Sequence, residues 1–258
     1  MASGRGTPVV LVHGALGDYR QWDGIVSRLK SRHRTVALSR RCHWPNSPPD
    51  GRVAYSVESH RDDLLALLRS IGEPVHLAGH SYGALVVLSA ALGEPALLRS
   101  LTLIEPPLSG LLPAAAKGLD AELTSRASML AAMRAQIAAG DDEAASVTLI
   151  DWVQERVGGF AALPESACAQ LLANAATIGP TYATAPQNIT CAHLRTLRIP
   201  VLVLNGALSR PFYRFAASAA TACMSGALTA EIPQSGHMAI VESPAATAAL
   251  MLEFMAAL

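Results

Sequence analysis

The pentapeptide Gly79-His80-Ser81-Tyr82-Gly83 has the residue types and spacing of a serine held in a tight, reactive turn. The apolar segment Val75–Ala78 before it is typical of a buried strand, and the run Ala84–Leu92 after it is typical of a buried helix. Flanking glycines suit such a turn because a Cβ would clash there. The turn also places the N–H of Tyr82 at a helix N-terminus, where it can stabilise an oxyanion. We therefore predict Ser81 as a nucleophile; the alternative is a purely structural turn.

A histidine near the end of the chain is placed to activate this serine. A serine hydroxyl is a weak nucleophile at neutral pH and needs a positioned base. His237 directly follows the last predicted strand, Leu228–Ile232, and the chain order serine then histidine is the one that this turn motif requires. The other seven histidines are less well placed: His33 and His193 are typical of surface residues, His76 lies inside a predicted strand, and His80 and His13 fit local hydrogen bonding. His237 is the predicted general base.

Short apolar runs alternate with helical patterns, which predicts parallel βαβ units. The predicted strands are Pro8–Val12, Thr35–Leu38, Val75–Ala78, Leu101–Ile104, Val201–Leu204 and Leu228–Ile232. Continuous Val/Leu/Ile runs favour strands with helices on both faces, hence an α/β fold with a mostly parallel sheet of about six strands. The strand Thr35–Leu38 would then leave an open edge, which a second copy of the chain could cover as a homodimer.

One long region interrupts this alternation. Residues 105–200 show no strand pattern, whereas Ala121–Ala139, Ala144–Val157 and Glu165–Ala176 have the composition of helices. A structureless loop of that length would be unusual in a compact domain. We expect an inserted helical cap, or lid, at residues 107–195, on a core formed by residues 1–106 and 196–258.

The chain resembles the α/β-hydrolase superfamily in three segments that together span nearly all of it outside the predicted cap: Val9–Trp22, Tyr55–Gly83 and Ile232–Pro244. The resemblance implies an oxyanion hole made by the N–H of Ala15, which follows the His13-Gly14 pair, and the N–H of Tyr82. An ordinary strand-to-helix turn is the alternative for that pair. Haloalkane dehalogenases and related epoxide hydrolases carry an aspartate at the position of Ser81, so we exclude both activities.

The acid of the expected triad departs from the pattern of the superfamily, where an aspartate usually follows the penultimate strand. Here that strand is followed by Asn205–Arg210, which contains no carboxylate. Glu105 ends the strand Leu101–Ile104, one strand nearer the nucleophile and about 4.8 Å away in the sheet. This placement resembles haloalkane dehalogenases and zearalenone-type lactonases. A polar strand end facing solvent is the alternative, but we predict that Glu105 orients His237.

Composition sets limits on the class of partner. The 258 residues include 20 basic and 20 acidic side chains, and this balance offers no electrostatic footprint for nucleic acid or an anionic membrane. No apolar run approaches the roughly 20 residues that span a bilayer. Four cysteines lack metal-ligand spacing, so we expect free thiols in a cytoplasmic protein with no metal or organic cofactor: Cys42, Cys168, Cys191 and Cys223.

The predicted reaction is acyl transfer, in which a serine hydrolase cleaves a small, largely apolar carboxylic ester or lactone through an acyl-enzyme. Alternatives are a C–C bond hydrolase, a lyase or cyclase of secondary metabolism using the same residues, and a non-catalytic small-molecule binder. Arg40 or Arg41 could meet an acidic substrate group, although a solvated loop is the favoured interpretation. Six aromatic residues are candidates for the pocket wall: Trp44, Trp152, Phe160, Tyr182, Phe212 and Tyr213.

Overall fold

The computed structural model describes residues 1–113, 116–183 and 188–258. Its sheet has seven strands in the order β1-β3-β2-β4-β5-β6-β7. The strands are β1 (Ala2–Ser3), β2 (Pro8–Val12), β3 (Arg34–Leu38), β4 (Val75–His80), β5 (Leu98–Ile104), β6 (Val201–Gly206) and β7 (Leu228–Ile232). All six predicted strands are present and pair in parallel. The predicted α/β-hydrolase fold is confirmed.

The seventh strand, β1, differs from the prediction. Ala2 and Ser3 pair antiparallel with Val36 and Thr35 of β3, so residues of the same chain occupy the edge that was expected to be open. Two small residues carry no periodic pattern, which is why the sequence did not indicate this strand. The open edge on which the expected homodimer depended is therefore already covered.

Helices cover both faces of the sheet. The helices are α1 (Asp23–Leu29), α2 (Val57–Ile71), α3 (Tyr82–Gly93), α4 (Leu119–Ala138), α5 (Asp142–Val153), α6 (Glu165–Leu172), α7 (Ile178–Ala183), α8 (Cys191–Leu194), α9 (Pro211–Cys223), α10 (Ala239–Glu242) and α11 (Pro244–Ala256). Side chains of β2 alternate between the faces: Val10 and Val12 pack with α2, α3 and α9, whereas Val9 and Leu11 pack with α1, α10 and α11. In the described part of the chain, no helix has the length and apolar character required to cross a membrane.

Helices α4–α8 lie within residues 107–195, the range expected to form the cap, and no strand occurs among its described residues. Polar contacts join this region to the rest of the molecule. The buried Arg210 guanidinium binds the Glu122 carboxylate of α4 through Nε at 3.0 Å and Nη2 at 3.1 Å. Asn174 donates to Asp18 at 2.9 Å and accepts from the N–H of Trp44 at 2.8 Å.

Two of the four cysteines are not free. Cys191 of α8 and Cys223 of α9 form a disulfide, with 32 residues of sequence separation. Cys42 and Cys168 are free thiols. The prediction of four free thiols is therefore wrong, because α8 and α9 bring together two cysteines that lie far apart in sequence. The thiol-based reason for expecting a reducing compartment no longer holds.

Candidate active site

Ser81 lies in a strained turn between β4 and α3. Its backbone has φ 52° and ψ −121°, a conformation that L residues seldom adopt. The flanking glycines are required by space, since a Cβ on Gly79 would clash with the backbone of Gly83, and a Cβ on Gly83 would clash with the carbonyl of Val12. The strand-to-helix turn inferred from the pentapeptide is therefore the observed local structure, and it holds the serine side chain against a cavity.

The structure brings together the three residues predicted as nucleophile, base and acid. Ser81 Oγ lies 3.0 Å from His237 Nε2, and His237 Nδ1 lies 3.0 Å from Glu105 Oε2. His237 is 3% exposed and Glu105 is fully buried, so these interactions are shielded from water. The ring of Tyr213 stacks on the imidazole with centroids 4.1 Å apart. This arrangement has the geometry in which an imidazole can take a proton from a serine hydroxyl.

The loop after β6 holds the Glu105 carboxylate in place. Glu105 Oε1 accepts hydrogen bonds from the Gly206 N–H at 2.7 Å, Ser209 Oγ at 2.6 Å and Asn205 Nδ2 at 3.1 Å. The other oxygen is thus left to face His237. The sequence showed that this loop lacks an acid, but it did not reveal that the loop supplies donors to an acid on the neighbouring strand. The polar side chains of Asn205 and Ser209, on either side of Gly206, were the available signal.

The predicted oxyanion donors, Ala15 and Tyr82, both line the cavity beside Ser81. Neither backbone N–H donates a hydrogen bond to any residue in the described ranges. Unpaired N–H groups at a helix N-terminus and an adjacent turn are suited to a developing negative charge. The structure therefore leaves both donors available at the place where the prediction requires them.

A buried arginine lies behind this pair of donors. Arg40 is 2% exposed and donates from Nη2 to the Gly14 carbonyl at 2.8 Å, while its Nη1 lies 3.0 Å from His60 Nε2. The Gly14 carbonyl belongs to the same peptide group as the Ala15 N–H. No carboxylate within the described residues pairs with Arg40. The favoured interpretation of Arg40 as part of a solvated loop is therefore wrong.

The neighbouring Arg41 is the solvent-side member of this arginine pair, and it binds Asp63 at 2.6 Å. Burial, followed by repulsion from Arg40, holds the pKa of His13, His43 and His60 below the ordinary histidine value. The positive charge of Arg40 thus lies among neutral imidazoles. Sequence alone could not distinguish the two arginines, because only the fold decides which one turns inward.

His80, inside the turn, does not compete with His237 as the base. Its Nε2 lies 2.8 Å from the His237 carbonyl oxygen. Burial, followed by repulsion from His237, lowers the pKa of His80 to about 3. His80 stays neutral and donates a hydrogen bond to the backbone of His237. This contact positions the loop that carries His237. The prediction of a local hydrogen-bonding role for His80 agrees with this contact.

A cavity of about 530 Å³ opens at Ser81 and His237. This volume suits a small organic molecule. Of the six aromatic candidates for its wall, only Tyr182 and Tyr213 line it. Trp152 and Phe212 instead pack in the core formed with α4, α5 and α6, where Phe160 also packs at the margin. The sixth, Trp44, is 39% exposed and lies under the Arg20 guanidinium.

The remaining cavity wall comes largely from α4 and α5. The cavity-lining residues of α4 and α5 are Arg126, Leu130, Met133, Arg134, Ile137, Leu149, Ile150 and Val153. Most of them are apolar, but two arginines are included. The sequence predicted helices in this region, but it did not indicate which face of each helix lines the site.

The fold, the strained serine turn and the adjoining histidine define the class of protein. Residues 9–250 match the model of the alpha/beta hydrolase family. The chain belongs to that family.

Comparison with known proteins gives partial sequence matches. A pimeloyl-[acyl-carrier protein] methyl ester esterase of Aeromonas hydrophila is 40% identical over 98 residues, which is 38% of this chain and 37% of that protein. The chain matches well under half the length of such curated relatives, between 14% and 41% in those most similar to it.

Solved structures match over the whole chain. Carboxylesterase CesB from Bacillus subtilis superposes with a TM-score of 0.74 at 20% identity, covering 98% of this chain and 86% of that one. Est816, described as an N-acyl homoserine lactone degrading enzyme, superposes with a TM-score of 0.72 at 16% identity, covering 98% and 95%. At such low identity these likenesses define the fold alone.

Proposed function

We propose that this protein is a serine hydrolase that cleaves a small, largely apolar carboxylic ester or lactone through an acyl-enzyme. The observation that carries the proposal is the continuous chain of contacts from Ser81 Oγ to His237 and from His237 to Glu105, each 3.0 Å long. The methyl ester esterase activity named for the partly matching Aeromonas hydrophila protein adds support.

In the proposed mechanism, Ser81 Oγ attacks the substrate carbonyl while His237 Nε2 accepts the hydroxyl proton. Glu105 keeps the Nδ1–H tautomer and stabilises the imidazolium that forms. The N–H groups of Ala15 and Tyr82 bind the oxyanion of the tetrahedral intermediate. His237 then returns the proton to the leaving alkoxide, and water activated by the same imidazole hydrolyses the acyl-serine.

Arg40 contributes to this mechanism from behind the oxyanion donors. Its hydrogen bond to the Gly14 carbonyl polarises the peptide that carries the Ala15 N–H, and polarised amides are stronger donors. Its positive charge also favours negative charge at the oxyanion, because the surroundings are buried. The role of Arg40 is positioning and electrostatic, since it does not line the cavity.

A panel of p-nitrophenyl esters and simple lactones, assayed with the wild type and Ser81→Ala, tests the proposal. We expect turnover by the wild type and a loss of at least about 10³-fold in kcat for Ser81→Ala, because the nucleophile is gone. A covalent serine inhibitor should label the wild type at Ser81 and leave Ser81→Ala unlabelled, as read by intact-protein mass spectrometry.

The same panel, extended with C-acyl ketones, distinguishes the other candidate functions. Turnover of C-acyl ketones without ester turnover would instead indicate the C–C hydrolase. Tight binding of substrate-like molecules without turnover of any carbonyl compound would indicate a binding protein. Ester turnover that persists in Ser81→Ala would exclude the serine mechanism altogether.

A further inference from the structure

Two arginines of α4 face the cavity along one side of the helix. Arg126 and Arg134 are eight residues apart, or about two turns, and Leu130, Met133 and Ile137 share their face. Arg126 is half-buried and Arg134 is exposed, so Arg126 lies deeper. The side chains between them are apolar, so an apolar surface separates the two charged side chains.

Among the described residues, Arg126 has no acidic partner. It forms no ion pair with any described residue, and its guanidinium carbon instead lies 5.3 Å from the ring centroid of Phe212. The contrast with Arg210 is direct, because Arg210 uses both Nε and Nη2 to bind Glu122, the carboxylate that α4 turns inward. The fold neutralises one arginine in this region and leaves the charge of the other uncompensated.

The charge balance of the cavity is positive. Among the described residues that line it there are two arginines and no aspartate or glutamate, since Glu105 lies behind His237 and is not part of the wall. Low-dielectric walls strengthen the field of such charges inside a cleft. A neutral apolar substrate would leave the half-buried Arg126 guanidinium with only part of its hydration, whereas an anionic group would replace the lost water.

We propose that the substrate carries an anionic group, such as a carboxylate, which Arg126 binds inside the cavity and Arg134 attracts from its solvent-exposed position. The proposal rests on the proposed function in taking this cavity as the substrate site, and it deepens that function by adding a charged group to the ester or lactone. Apolar side chains on the same face of α4 contact the hydrocarbon part between the anion and the reacting carbonyl.

Matched esters, of which one member in each pair carries a carboxylate, test the proposal. For the acyl side, p-nitrophenyl hexanoate is compared with mono-p-nitrophenyl adipate; for the alcohol side, phenyl acetate is compared with 4-carboxyphenyl acetate. We expect kcat/KM to be about ten- to a hundredfold higher for the anionic member in one of the two pairs, because a charge-assisted hydrogen bond is involved. The pair that shows the preference identifies which half of the substrate carries the anion.

Arginine variants assign the preference to α4. In Arg126→Gln the ratio of kcat/KM between the anionic and the neutral ester should fall to about threefold or less. Arg126→Lys should restore part of the ratio, since it keeps the charge but loses the planar fork. Arg134→Gln should have a smaller effect because Arg134 is exposed. The matched control is Arg99→Gln, an exposed arginine at the start of β5, which should leave the ratio unchanged.

A binding measurement separates failure of this inference from failure of the proposed function. Calorimetric titration of Ser81→Ala requires no turnover. It compares monomethyl adipate with methyl hexanoate for the acyl side, and 4-carboxyphenyl acetate with phenyl acetate for the alcohol side. We expect about tenfold tighter binding of the anionic member of one pair, lost in the double variant of Ser81→Ala with Arg126→Gln. Equal affinities within both pairs, or a preference that survives Arg126→Gln, would overturn the inference whether or not the protein hydrolyses esters.

Discussion

The two oxygens of Glu105 face different partners. Oε1 accepts three hydrogen bonds from the loop after β6, and Oε2 is left for His237 Nδ1. These four contacts satisfy both oxygens of a side chain that is fully buried. Ser209 therefore acts as a donor to the acid, at the loop where related enzymes usually carry the acid itself.

Replacing Glu105 by Gln should lower kcat by about 10²–10⁴-fold with little change in KM. The amide oxygen can still accept from the three loop donors, and this places the amide NH₂ against His237 Nδ1. That nitrogen must then accept a hydrogen bond, so the proton moves to Nε2, which can no longer accept the proton of Ser81. Steady-state kinetics on a p-nitrophenyl ester, alongside circular dichroism, measures the effect.

The control is Asp62→Asn, because Asp62 lies at the surface, where it forms an ion pair with Arg61. It should leave kcat within about twofold. A Glu105→Gln enzyme with near-wild-type kcat would show that His237 is oriented by something else.

The sequence identifies a site residue where the local pattern around that residue is enough to predict its role. Ser81 lies in a pentapeptide between a strand and a helix, and His237 lies in the loop after the last strand. Arg40 and Arg126 could not be found this way, because a sequence does not show whether an arginine turns inward or whether a carboxylate meets it. Those properties depend on contacts across 20 or more positions, such as that of Arg40 with Gly14.

Elements were predictable where hydrophobic periodicity is strong. The six parallel strands follow from apolar runs, and α4, α5 and α6 follow from composition, whereas the short helices α7 and α8 were not predicted. Strand β1 and the disulfide were not predictable, since the first has only two residues and the second joins cysteines in different elements. The pairing of Cys191 with Cys223 also encloses β6 and the loop that binds Glu105.

Removing the disulfide with Cys191→Ser and Cys223→Ser should lower the free energy of unfolding by about 3–4 kcal/mol, because the unfolded chain regains the entropy of a loop closed over 32 residues. Activity at 25 °C should change little, as β6 remains paired with β5 and β7 on either side. Denaturant unfolding followed by fluorescence measures the loss.

A reducing agent serves as the matched test. It should destabilise the wild type by a similar amount and leave the double variant unchanged. Equal stability of the wild type with and without reductant would contradict a disulfide between α8 and α9.

At the scale of the whole molecule, the interior holds an unusual number of neutral histidines. Burial is the main cause that lowers the pKa of each, and for one of them, His76 in β4, the pKa falls to about 4. The group comprises His13, His43, His60, His76 and His80. Arg40 adds repulsion at the first three. The fold therefore excludes protons that the unfolded chain would bind at its ordinary histidine pKa of about 6.5.

This exclusion makes stability depend on pH in a definite direction. Above about pH 6.5 both states hold neutral imidazoles, so the contribution to folding is fully present. As the pH falls below that value, the histidines of the unfolded state bind protons. The same histidines in the folded state stay neutral until the pH reaches their own, lowered pKa values. Each such histidine then lowers the free energy of unfolding by about 1.4 kcal/mol per pH unit. Stability should therefore fall steeply between about pH 6.5 and 5, where most carboxylates are still ionised.

Denaturant unfolding at half-unit steps from pH 8 to 5 measures the slope of the free energy of unfolding against pH. Below pH 6 this slope should correspond to several more protons bound per molecule in the unfolded state than in the folded state. His76→Gln should reduce the slope by about one proton, since its side chain amide can keep a hydrogen bond with Ser100 without titrating. His193→Gln, at an exposed histidine of α8, is the control and should leave the slope as in the wild type. A free energy of unfolding that stays constant between pH 7 and 5 would mean that the interior histidines accept protons without cost, and that the buried network around Arg40 is hydrated.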